Sequence, residues 1–216
     1  MRAVSTADGA YRVAVAELPR RAALGDGTGA VRIADGVLEA GGSTVVARRW
    51  LRADVVADAA GAPARSVLVE CGAAPGEVEE LLRDAIGWAR ELAGGPLDVG
   101  ECRATARGIL VRLEGTRSGA TVLLARREAG PSWLRVLALD TARTEVVIEH
   151  PGATATVERT DALGVHRAPA RYETPERLAL RRLLDALDAG VRPSDPDDLE
   201  HDAALAAHVL GLARAG

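Results

Sequence analysis

The sequence predicts an α+β protein, an antiparallel β-sheet covered on one side by helices, with two helices at the C-terminal end. Three observations predict it. Short alternating segments joined by tight turns run from Leu97 to Glu158, a strongly periodic helix precedes them, and two capped helices follow them. Strands gathered before helices argue for α+β rather than an alternating parallel fold.

Taken in order, Tyr11–Leu18, Ala30–Ile33 and Thr44–Leu51 are rich in valine and partly alternate. Glycine-rich turns, Gly25-Asp26-Gly27 and Gly41-Gly42, separate them, so they read as strands of a meander. Ser66–Glu70 is a compact apolar strand. The Pro75-Gly76 turn then opens a helix over Glu77–Ala93, whose Val78, Leu81, Leu82, Ala85, Ala89 and Leu92 keep helical spacing. Acidic residues fill its first turn and Gly94-Gly95 stops it. Trp88 falls beside the apolar face, as packing.

Strands are expected next at Ile109–Glu114, Thr121–Arg126, Trp133–Leu139, Glu145–Glu149 and Ala153–Glu158, with His150-Pro151-Gly152 as a tight link. Thr174-Pro175 caps a helix with Leu180, Leu183, Leu184 and Leu187 on one face, ended by Gly190. Asp195-Pro196 opens the last helix, along which run Leu199, Ala203, Ala206 and Leu210. A small β-rich segment over 1–70, either part of the same sheet or a degenerate remnant of a nucleotide-binding fold, and a sheet domain over 71–216 are expected.

Composition narrows function. The 216 residues include no Lys, Phe, Asn or Gln, so all 27 basic residues are arginine. Without lysine there is no side-chain Schiff base, no lysine general acid or base and no P-loop lysine. The net charge is −4 with acids and bases interleaved, and no basic stripe with stacking aromatics is present, which argues against nucleic acid as a partner. Apolar runs are too short to span a bilayer and no signal-like segment opens the chain. Two cysteines, Cys71 and Cys102, make neither a disulfide framework nor a four-ligand zinc site, so a cytoplasmic protein with buried thiols is expected.

From Gly94 onward the chain resembles the C-terminal sheet domain of the Gfo/Idh/MocA oxidoreductases. The resemblance lies in Gly94-Gly95-Pro96-Leu97-Asp98-Val99, in Gly115–Leu124, in Leu134–Glu149 and in Arg171–Leu210. Separately, Ser66–Gly72 is similar to that family's strand ending in Glu-Lys-Pro. The resemblance implies a homodimer formed through the sheet. It also implies a glycine-rich cofactor turn, a catalytic lysine and an Asp-x-x-x-His pair, and here the sequence departs. After Tyr11–Ala16 it reads Glu17-Leu18-Pro19-Arg20-Arg21, Cys71 stands where the lysine would, and Asp202 and His208 have the wrong spacing. The resemblance is to a degenerate form, with no cofactor expected.

Three constellations could carry chemistry. His166, Tyr172 and Glu173 are the candidate acid–base groups, with Arg167 and Arg171 as substrate-binding partners, in a loop between the sheet and the C-terminal helices. The plainer reading is a polar connector in water. Asp197, Asp198, His201 and Asp202, with His208 beyond, could ligate a metal or simply cap and solvate a helix; the second is expected, so no metal site is assigned. Glu70 and Cys71 end a strand before a helix N-terminus, where a thiolate is stabilised, but a buried inert thiol is the expectation. Asp140, Arg143 and Glu145 read as a turn with edge charges.

Three functions are compatible. The first is a degenerate oxidoreductase-like protein binding a small organic molecule or a partner subunit without its own nicotinamide site. The second is a cofactor-independent cyclase, isomerase or dehydratase with a pocket over the sheet. The third is a structural subunit completing a partner oxidoreductase. The sequence leaves open whether the chain is an enzyme.

Overall fold

The computed structural model describes residues 2–5, 9–18, 22–24, 31–34, 36–150 and 154–215. The chain divides into two compact units, residues 1–49 with 173–200, and residues 50–172 with 201–216. The expected boundary at residue 70 differs from this division. It would cut away Trp50, Leu51, Val55 and Val67, all buried in the core of the second unit.

The first unit holds a five-stranded sheet in the order β2-β1-β3-β4-β5, from β1 (Arg2–Ser5), β2 (Ala22–Leu24), β3 (Val31–Ala34), β4 (Val37–Ala40) and β5 (Ser43–Val46). β1 is parallel to both β2 and β3, while β3-β4-β5 is an antiparallel meander. α1 (Gly9–Glu17) makes the crossover between β1 and β2. Tyr11–Leu18, expected as a strand, is thus mostly helix. Its Val13 and Val15 alternate, but Tyr11, Ala14 and Val15 are the buried positions, which is helical spacing.

α4 (Pro175–Ala189) packs on α1, β4 and β5. Leu180, Leu183 and Leu184 meet Tyr11, Leu38 and Val45 in this unit's core. The first C-terminal helix thus packs within the small unit, whereas the sequence reading places it against the antiparallel sheet. Thr174 accepts from the Arg177 N–H at its start, and Gly190 ends it in the left-handed region, as its sequence indicates. Asp195, at the start of α5 (Asp195–Ala215), holds Arg182 through two 2.8 Å bonds and accepts from the Val46 N–H.

The second unit is built on an eight-stranded sheet, β13-β12-β11-β10-β6-β9-β8-β7. Its strands are β6 (Ser66–Ala73), β7 (Asp98–Thr105), β8 (Gly108–Glu114), β9 (Gly119–Arg126), β10 (Trp133–Leu139), β11 (Arg143–Ile148), β12 (Ala155–Asp161) and β13 (Gly164–Arg167). Every pairing is antiparallel except β6 with β9, so the sheet is mixed rather than purely antiparallel. The reason is the connection. After β6 the chain passes through α3 (Val78–Ala93) and the β7-β8 hairpin before β9, and such a crossover returns a strand in the same direction. Of the expected link at 150–152, residues 151 and 152 lie outside the described residues.

Alternation decides which side is core. Val67, Val69 and Cys71 on β6, Val111 on β8, Val122 on β9 and Val136 on β10 all point to one buried face. α3 packs on β6, β9 and β10, and α2 (Ala53–Ala59) on β11 and β12. Ala206, Val209 and Leu210 of α5 join the same core. Trp88 is fully buried and its indole N–H donates to the Trp50 carbonyl at 2.7 Å. No helix among the described residues is long and apolar enough to cross a membrane.

Candidate functional site

The connector singled out by sequence is not one loop. His166 and Arg167 lie on β13, the edge strand, opposite Arg159 and Glu158. Neighbouring strand residues project to opposite faces, so these two side chains diverge. Arg167 donates to Glu158 at 2.8 Å, and His166 Nε2 lies 3.8 Å from Asp161. Arg171 forms a two-pronged pair with Asp58 of α2, both bonds 2.6 Å, and this guanidinium holds the Asp58 carboxyl below its usual range. Tyr172 is 76% exposed. Glu173 belongs to the first unit and bonds Arg181 of α4. No hydrogen bond joins His166 to Tyr172 among the described residues.

The acidic cluster on α5 resolves similarly. Asp202 is fully buried and grips Arg90 of α3 with two bonds, Nε–Oδ1 at 2.9 Å and Nη2–Oδ2 at 3.2 Å. Its role is an interhelical tie. No group of three or more potential metal ligands occurs among the described residues.

Cys71 sits in the centre of the eight-stranded sheet, not on the unit with parallel β1, β2 and β3. Ligands of open α/β sheets gather at the carboxyl ends of parallel strands where the strand order reverses, which here is between β1 and β3. A side chain on β6 does not stand on that sheet. Burial pushes the Cys71 thiol up to about 12, so the neutral form prevails and the thiolate needed for reactivity does not form near neutral pH. The chain between β1 and α1 also corrects where a cofactor turn should be sought. It reads Ser5-Thr6-Ala7-Asp8-Gly9, with a single glycine, and residues 6–8 lie outside the described residues, as does the Gly25–Gly29 cluster. The helix in this sheet's connections, α3 between β6 and β7, carries Asp84 with Trp88 four residues on, not an Asp-x-x-x-His pair.

What sequence reading passed over is the outward face of the eight-stranded sheet. Cross-strand register places Leu110 beside Leu123, and Leu68 beside Leu137. With Leu139 and Val147 these make an apolar centre; Leu110, Leu123 and Leu139 are 43%, 42% and 42% exposed. Glu70 and Arg135 stand between Leu123 and Val147 in register, and the ion pairs Arg103–Glu101, Arg112–Glu114, Arg135–Glu145 and Arg143–Glu145 run through and around the face. The alternation visible in Leu110-Val111-Arg112-Leu113 was the available signal. At one end, the Trp133 indole lies across Gly72, in space that a side chain at 72 would need.

The chain has the α+β fold of Gfo/Idh/MocA-type oxidoreductases, as the resemblance of its sheet domain implied. Among solved structures it is similar to an aldose–aldose oxidoreductase from Caulobacter crescentus (14% identity, 79% of this chain and 58% of that one, TM-score 0.55). It is similar also to a dehydrogenase, MviM, from Clostridium difficile (11%, 76% and 60%, TM-score 0.55). A third is UDP-N-acetylglucosamine 3-dehydrogenase from Acidithiobacillus ferrooxidans (12%, 77% and 58%, TM-score 0.54). The chain thus spans less than two-thirds of the length of each. By sequence, no family model and no curated protein matches it.

Proposed function

We propose that this chain is a degenerate oxidoreductase-like protein that binds a partner subunit or small organic molecule without a nicotinamide site of its own. Its first partner, on this reading, is a second copy docked face to face on the eight-stranded sheet. One observation carries it: six apolar side chains on the outward face, interspersed with ion pairs that answer the neighbouring charges. Exposed apolar patches rimmed by polar groups mark association surfaces. The absence of lysine and the single glycine in the sequence between β1 and α1 support the cofactor-free part. The cytoplasm is the proposed location, where two free thiols stay reduced.

Size-exclusion chromatography with light scattering tests the association. The wild type is expected to run as a dimer, and Leu123→Arg with Leu137→Arg as a monomer of unchanged circular dichroism. A monomeric wild type would overturn the dimer. A fluorescence titration with NADPH addresses the rest: saturable micromolar binding would refute the cofactor-free part.

A further inference from the structure

The second unit carries a cleft that none of the preceding groups uses. Its volume is about 290 Å³, and it is lined by Gly76, Val78, Glu79, Arg126, Leu210 and Arg214. Three elements meet there: the turn from β6 into α3, the last residue of β9, and the C-terminal part of α5. Val78 is half-buried and Leu210 buried, and they form an apolar floor. Arg126 and Arg214 are exposed.

The charges at this cleft differ from those around the sheet. Arg90, Arg135, Arg143 and Arg171 each hold a carboxylate. Arg126 reaches only the Thr105 carbonyl, at 3.4 Å, and Arg214 makes no hydrogen bond or ion pair among the described residues. Glu79 is the cleft's one carboxylate and is likewise unpaired there. The lining therefore presents two guanidinium groups, one carboxylate and an apolar floor. Guanidinium forks recognise carboxylates and phosphates through paired N–H donors, and a nearby apolar surface adds affinity for a hydrocarbon body. Glu79 repels a second negative charge on the ligand.

We infer that this cleft binds a small organic monocarboxylate, its carboxylate between Arg126 and Arg214 and its apolar body on Val78 and Leu210. The size stands at the lower end of ligand clefts, which suits a single ring or a short branched chain. The inference rests on the reading that this chain binds a small molecule rather than turning one over, and it names where and of what chemistry.

Isothermal titration at constant ionic strength tests it with cyclohexanecarboxylate, cyclohexanol and inorganic phosphate. Saturable binding of the carboxylate is expected, with none of the alcohol and a weaker response to phosphate. Arg126→Ala with Arg214→Ala, both exposed positions, should weaken carboxylate binding by about tenfold or more. Glu79→Gln should raise the affinity for phosphate relative to the carboxylate. Equal binding by wild type and the double variant, or alcohol binding as well as carboxylate, overturns the inference. Light scattering on the same samples keeps the two proposals apart: these substitutions leave the oligomer unchanged, and a change in mass alone would count against the dimer face, not the cleft.

Discussion

Replacing Asp202 by leucine removes a fully buried carboxylate and leaves the Arg90 guanidinium, only 12% exposed, without its two-pronged partner. Removing one member of a buried pair is far more damaging than removing both, because an uncompensated charge remains. Such losses run to about 3–5 kcal/mol, and Arg90 keeps Glu91 at 2.9 Å, so about 3 kcal/mol is expected here. Asp202→Leu combined with Arg90→Met removes both charges and should recover most of it. Urea unfolding followed by circular dichroism reads the difference as a shift in midpoint at unchanged slope. A single-variant loss below about 1 kcal/mol, or a double variant as unstable as the two singles added, would refute the ion-pair account. Melting in EDTA should match melting without it, since both oxygens of the Asp202 carboxylate are engaged by Arg90.

Two further predictions concern the large sheet. The Cys71 thiol, at about 12 in the folded chain against 9.0 for an ordinary cysteine, contributes stability that is complete below pH 9. It is lost as pH rises through about 12, at most about 4 kcal/mol in all. Cys71→Ala should flatten the alkaline limb of a stability–pH curve, and an unchanged limb would show that other groups govern it. Gly72→Ala would place a methyl 3.0 Å from Trp133 Cδ1 and from Arg127 Cδ, closer still to the indole nitrogen. The ring must lift, so a loss of about 1–3 kcal/mol with a shifted tryptophan emission is expected, and an unaltered spectrum would contradict the packing.

The elements most legible in sequence were those that satisfy their own backbone. α3 shows its apolar period, α4 its Thr174-Pro175 start and Gly190 stop, and β8 its strict alternation; each follows from local sterics and from the side chains its neighbours bury. α1 was not legible, because Val13 and Val15 fit a strand while Tyr11, Ala14 and Val15 fit a helix, and only packing on α4 and β2 settles such a case.

The candidate site divides the same way. His166, Arg167, Arg171, Tyr172 and Glu173 are close in sequence, yet alternation on β13 turns the first two apart, Asp58 takes the third and Arg181 takes the last. The cleft beside α3 draws on residues from 76 to 214, a grouping that no local pattern records. What the amino-acid sequence determined by itself was the chemistry available: no lysine, two thiols, arginine as the sole strong cation; burial of Cys71 and the partial exposure of Cys102 came from the fold. Tertiary structure alone decided that β6 lies parallel to β9 in mid-sheet and that α4 belongs with the first unit. It also decided which arginines keep their charge unanswered, because ion pairing depends on distances set by elements far apart in the chain.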